Sequence, residues 1–222
     1  MRAAAGLPLL GAAGALLVVA LFFGGGSGDG RLFWIGAGAL LCALGALTAS
    51  LAGLLPLPVP GAQGAAALGL LACFVAWNGV TVWWSVEADR SWAYGNRGLA
   101  YLALAVLGLY VGTLVPRPAQ SVAAGLTLLL AAVLLWALAG KVFPGLFPDG
   151  ARVARLRDPI GYWNALGLVC ATALPLFLWL AGRRRELGAL GVYLASVALL
   201  LTYSRGGLLV AAVSVALWLW LS

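Results

Sequence analysis

Ser121-Val122-Ala123-Ala124-Gly125-Leu126-Thr127-Leu128-Leu129-Leu130-Ala131-Ala132-Val133-Leu134-Leu135-Trp136-Ala137-Leu138-Ala139-Gly140 runs for twenty residues without one charged side chain. At 1.5 Å of rise per residue such a stretch crosses a hydrocarbon core of ~30 Å as one helix. Apolar residues occupy every side of that helix, so its surroundings are lipid or protein rather than water. Hydrocarbon also demands that each backbone N–H and C=O find a partner within the protein, which a helix does within itself. The same reading recurs on both sides of this stretch, giving spans near 6–23, 32–55, 65–84, 97–115, 120–140, 160–181, 187–203 and 207–221. The expected fold is therefore all-α: a polytopic transmembrane helix bundle of about eight spans, forming a single transmembrane domain over residues 1–222.

Composition agrees. The chain is 64% hydrophobic and 9% charged, where a soluble domain needs about 25% charged residues to cover its surface. Its net charge of +7 does not point to nucleic acid, because no basic run is interleaved with stacking and polar residues as a nucleic-acid groove requires. Cys42, Cys73 and Cys170 lie singly within apolar runs and share no Cys-x-x-Cys spacing, so neither a disulfide framework nor a metal site is expected. Histidine is absent, which removes the commonest general base. No cofactor is implied, and no catalytic residue can be named. Met1-Arg2 precedes the first apolar stretch without a small-x-small cleavage site after it, so an uncleaved first helix is expected.

Two connectors, 85–96 and 141–159, are long enough to form structure outside the membrane, and both are expected as outer loops. Tryptophan and tyrosine gather at span ends, as in Trp83-Trp84, Trp92, Tyr94 and Tyr162-Trp163, where amphipathic rings favour the headgroup layer. With the N-terminus cytoplasmic, Arg2, Arg117 and Arg183-Arg184-Arg185 fall inside, against Arg31, Arg90, Arg97, Lys141, Arg152, Arg155, Arg157 and Arg205 outside. The raw count opposes the positive-inside rule. The dense Arg183-Arg184-Arg185 triplet and the first helix favour this orientation nonetheless. An excess of basic residues on a translocated face calls for an anionic ligand.

Arg152, Arg155 and Arg157 lead into the sixth span; on a short interfacial helix the three-residue spacing of Arg152 and Arg155 would put them on one face, with Arg157 close by. They suit either of two roles, snorkelling to lipid phosphates or clamping a phosphate ligand through bidentate bonds. Asn164 stands at the entrance of the same span, where an amide needs another helix or a ligand as partner. Thr202-Tyr203-Ser204-Arg205-Gly206-Gly207 links the seventh and eighth spans. Gly206 and Gly207 would let the backbone reverse there, and Arg205 with Ser204 and Thr202 would bind a pyrophosphate, with snorkelling again the alternative.

The Thr202 to Gly207 stretch resembles the T-x-S-R-G-G signature of the O-antigen ligase and polymerase superfamily. Gly161-Tyr162-Trp163-Asn164-Ala165-Leu166-Gly167 resembles that family's G-x-x-x-N segment one hairpin upstream. The two motifs cover about a tenth of the chain, and the many-span architecture covers the rest. The resemblance implies a membrane glycosyltransferase that moves a glycan from a polyprenyl diphosphate carrier to a lipid or protein acceptor at the outer face of the cytoplasmic (inner) membrane. It implies that Arg205 contacts the diphosphate and that Asn164 lies near the same cavity. Family ligases also carry, after the signature, a large outer loop with an arginine and a histidine, then further spans. The 222 residues hold no such loop, so the chain is expected to be an N-terminal part or a shortened relative. Two other classes stay open: a non-catalytic protein that binds or transports a lipid-linked glycan, and a structural membrane subunit. Ion-coupled transport is disfavoured, because no predicted span has an acidic or basic residue at its centre.

Overall fold

A computed structural model of the chain describes residues 2–22, 29–147 and 155–221. Among these described residues there are eight α-helices, α1 (Arg2–Phe22), α2 (Asp29–Leu51), α3 (Ala62–Thr81), α4 (Ala88–Leu114), α5 (Pro118–Val142), α6 (Trp163–Ala181), α7 (Arg185–Thr202) and α8 (Arg205–Leu221), and a 3-10 turn at Pro144–Leu146. Among the described residues there is no strand. Helices α2 to α7 are long and apolar enough to cross a membrane; Gly6–Phe22 and Arg205–Leu221 are shorter apolar helices. The 17 residues of α8 measure about 26 Å, within a turn of the hydrocarbon thickness. The chain is an all-α, multi-pass membrane bundle.

The 85–96 stretch, expected as a loop, is mostly helix, because α4 begins at Ala88. Asp89, Arg90, Ser91, Asn96 and Arg97 end the apolar pattern there without ending the helix. The Arg90–Glu87 pair, 2.9 Å apart and exposed, spans the first turn. Hydropathy located where lipid-compatible side chains begin, and the backbone hydrogen bonding starts before that.

The chain divides into two compact units, Met1–Ala20 with Gly26–Ser121, and Leu21–Gly25 with Val122–Ser222. In the first, α2 and α4 run parallel. Ala39, Ala43, Ala103 and Leu107 form one buried cluster, and Ala46, Tyr110 and Leu114 another. Small side chains let the helices approach, and a hydrogen bond of 2.8 Å joins Ser50 Oγ to the Tyr110 hydroxyl. A groove of about 540 Å³ opens between the first halves of α2 and α4, with Phe33, Leu40, Trp92, Asn96 and Leu99 in its lining.

In the second unit α6 is the central helix. It buries Leu166, Gly167, Cys170, Ala171, Ala173, Leu174 and Phe177. Helix α7 answers with Gly188, Gly191, Ala195, Ala198 and Thr202, a stripe of three- and four-residue steps that keeps small residues on one face. A Cβ on Gly188 or Gly191 would collide with Ala181 or with the Phe177 ring. These contacts make α6 and α7 antiparallel, and the contact of Gly167 with Gly207 brings the beginning of α8 against the beginning of α6. Leu130, Val133, Leu134 and Ala137 of α5 join the same core. The beginning of α6, the end of α7 and the beginning of α8 consequently meet at one end of this unit.

Candidate functional site

The reversal between α7 and α8 is built by two buried hydroxyls. Thr202, fully buried, donates to the Leu199 carbonyl at 2.6 Å and accepts the Ser204 N–H at 3.2 Å. Ser204 precedes the first residue of α8, and its Oγ accepts the Gly207 N–H at 3.0 Å. Its carbonyl accepts the Leu208 N–H at 3.0 Å. It is a side-chain N-cap, satisfying one of the donors that a helix start leaves open. Between the two hydroxyls Tyr203 adopts the left-handed conformation, φ 52° and ψ 28°, and its N–H bonds the Leu200 carbonyl. Tyr203 and Arg205 are exposed on either side of the buried Ser204.

The reversal thus runs through Tyr203 and Ser204, while Gly206 and Gly207 lie in the first turn of α8. The two glycines differ. A Cβ on Gly207 would lie 3.0 Å from both Cα and C of Gly167 and 3.1 Å from Leu199 Cδ1, whereas one on Gly206 would meet nothing within 4 Å. Across the contact, a Cβ on Gly167 would sit 2.8 Å from Ser204 Cβ and 3.3 Å from Thr202 Oγ1. Gly167 and Gly207 are where the two helices touch backbone to backbone.

The segment before α6 is tied to the same place. The Leu156 N–H donates to the Leu201 carbonyl at 3.0 Å, using an acceptor that the end of α7 leaves free. Leu156 and Ile160 are buried in the core of this unit, while Arg155 and Arg157, flanking Leu156, are exposed. Residues 155–157 are not helical. The interfacial helix expected to align the arginines is therefore absent from this part, and alternation around Leu156 puts both outward instead. Arg152 lies outside the described residues.

The Arg155 guanidinium stands over the Trp163 ring at 5.3 Å, within reach of a cation–π attraction. Gly161, at φ 86°, turns the chain into α6, and its N–H returns to the Arg157 carbonyl at 2.8 Å. Asn164 is exposed and donates through Nδ2 to the Tyr162 hydroxyl at 2.7 Å. The fold so collects Arg155, Arg157, Asn164, Ser204 and Arg205 at one end of the unit. Ser204 differs from the rest, since its hydroxyl is inside the packing and holds the turn. Arg205 has no hydrogen bond or ion pair among the described residues.

Tyr203, Gly167 and Leu156 complete this end and were not singled out in the sequence. For Gly167 a signal existed, since it closes the Gly161 to Gly167 motif. Nothing in the sequence announced the left-handed Tyr203 or the Leu156 hydrogen bond. No family model matches the chain, and no curated protein or solved structure matches it either.

Proposed function

We propose that this chain is an O-antigen-ligase-like membrane protein that holds the diphosphate of a polyprenyl-linked glycan with Arg205, Arg155 and Arg157 and transfers the glycan to an acceptor. The supporting observation is convergence. The two segments that resemble the family are a hairpin apart in sequence, yet Gly167 packs directly against Ser204 and Gly207. The Leu156 to Leu201 hydrogen bond brings two further arginines to the same end.

Guanidinium groups suit this work because they stay charged and offer paired N–H donors to phosphate oxygens. In the transfer, the bond from the sugar anomeric carbon to the diphosphate oxygen breaks as the bond to the acceptor oxygen forms, and the acceptor's hydroxyl proton passes to the departing diphosphate. Arginines at the departing diphosphate stabilise its growing charge. Arg152 belongs to the same basic loop in sequence. The reading places the protein in the cytoplasmic membrane with a cytoplasmic N-terminus, so that Arg205 faces outward.

Binding of undecaprenyl diphosphate to the protein in lipid nanodiscs tests this. Arg205→Ala is expected to weaken binding about tenfold, the scale of one charge-assisted contact, while Arg184→Ala leaves it unchanged. Absence of binding by the parent, or equal binding by Arg205→Ala, sinks the reading. The lack of histidine favours a second reading, a lipid-linked-glycan carrier without transfer chemistry. Binding that persists with no glycan transfer to any supplied acceptor selects that one.

A further inference from the structure

Tyr203 occupies the position after α7 where the chain turns left-handed, φ 52° and ψ 28°. Glycine takes this conformation without steric cost and is the usual residue there; a tyrosine is strained in it. The strain is maintained by its neighbours, because the buried Thr202 and Ser204 fix the backbone on both sides through three hydrogen bonds. The Tyr203 side chain is 66% exposed, and among the described residues its ring and hydroxyl have no aromatic, cation–π or hydrogen-bond partner. A tyrosine serving only as an anchor in the headgroup layer needs no fixed backbone, and an ordinary helical position would serve it. An outward-facing ring on a fixed backbone, two residues from an arginine that has no partner among the described residues, fits a ligand that is apolar on one face and carries an anionic group beside it.

We propose that the Tyr203 ring is the stacking platform for the first sugar of the lipid-linked glycan, a role that rests on the reading of Arg205 as the diphosphate contact. A pyranose offers C–H groups on one face and hydroxyls around its edge. The ring packs against the former, and the phenol bonds the latter.

The test compares two probes in nanodiscs, undecaprenyl diphosphate bare and bearing one N-acetylhexosamine. The parent should bind the sugar-bearing lipid about tenfold more tightly than the bare one, as one aromatic contact provides. Tyr203→Gly should erase that difference and leave bare-lipid binding unchanged, with a melting temperature no lower than the parent's, because glycine relieves the backbone. Tyr203→Phe should retain most of the preference. If Tyr203→Gly keeps the preference for the sugar-bearing lipid, or weakens both lipids equally, the platform is refuted while the diphosphate site stands. If the parent does not bind the bare lipid, the diphosphate reading falls, and the platform falls with it.

Discussion

At the scale of single residues, the two neighbouring glycines of α8 separate conformational freedom from close packing. Both looked like turn residues in the sequence, yet a Cβ on Gly206 meets open space while one on Gly207 meets the backbone of Gly167 at 3.0 Å. Backbone cannot swing aside as the end of a side chain can. Gly207→Ala is therefore expected to destabilise the protein by about 1–3 kcal/mol, as overpacking does. Gly206→Ala should stabilise it by about 0.5–1 kcal/mol, because alanine loses less freedom than glycine within a helix. Thermal unfolding in detergent measures both, and equal shifts for the two variants would mean that the α6–α8 contact is not as close as described. Legibility follows the same division. The side chains of Arg155, Arg157, Asn164 and Arg205 announced themselves, because polar groups at the ends of apolar runs need partners. The close contact of Gly167 and the left-handed Tyr203 did not, because both depend on residues about forty positions apart or on backbone angles that composition leaves open.

Among the elements, the α2–α4 pair is held mainly by alanines, and the hydroxyl link between Ser50 and Tyr110 carries a testable asymmetry. Ser50 donates its single proton to the Ala46 carbonyl at 3.0 Å, so the 2.8 Å contact with Tyr110 has the phenol as donor and the serine oxygen as acceptor. Tyr110→Phe removes a donor and leaves behind only a serine oxygen that already has a partner, at a cost of about 0.5–1.5 kcal/mol. Ser50→Ala strands a phenol that is 1% exposed and should cost more, about 1–3 kcal/mol. The melting temperatures of the two variants order these costs; a larger loss for Tyr110→Phe would reverse the donor assignment. Elements of this kind were the most legible part of the fold. Uninterrupted apolar runs located every helix within a few residues except the start of α4, which lies nine residues before the predicted span because a helix persists where its side chains turn polar.

For the molecule as a whole, the distribution of arginine along α6, α7 and α8 is the feature with most at stake. The antiparallel packing of α6 and α7 puts Arg183, Arg184 and Arg185 at one end of this unit and Arg155, Arg157 and Arg205 at the other. Arg183 lies over the Trp179 ring at 4.1 Å, as a snorkelling side chain does beside an interfacial aromatic. α6 is long and apolar enough to span; where it crosses, the two clusters face opposite sides of the membrane, and only one can obey the positive-inside rule. The proposed function requires the triplet inside and the Arg205 cluster outside. In a background with Cys42, Cys73 and Cys170 replaced by alanine, an impermeant maleimide added to intact cells should label Arg157→Cys and not Arg184→Cys, and both after permeabilisation. Labelling of both in intact cells would mean that α6 does not cross. Labelling of Arg184→Cys alone would place the Arg205 end in the cytoplasm, where the arginines would need no outer anion to account for them and the reading of glycan transfer at the outer face would lose its basis.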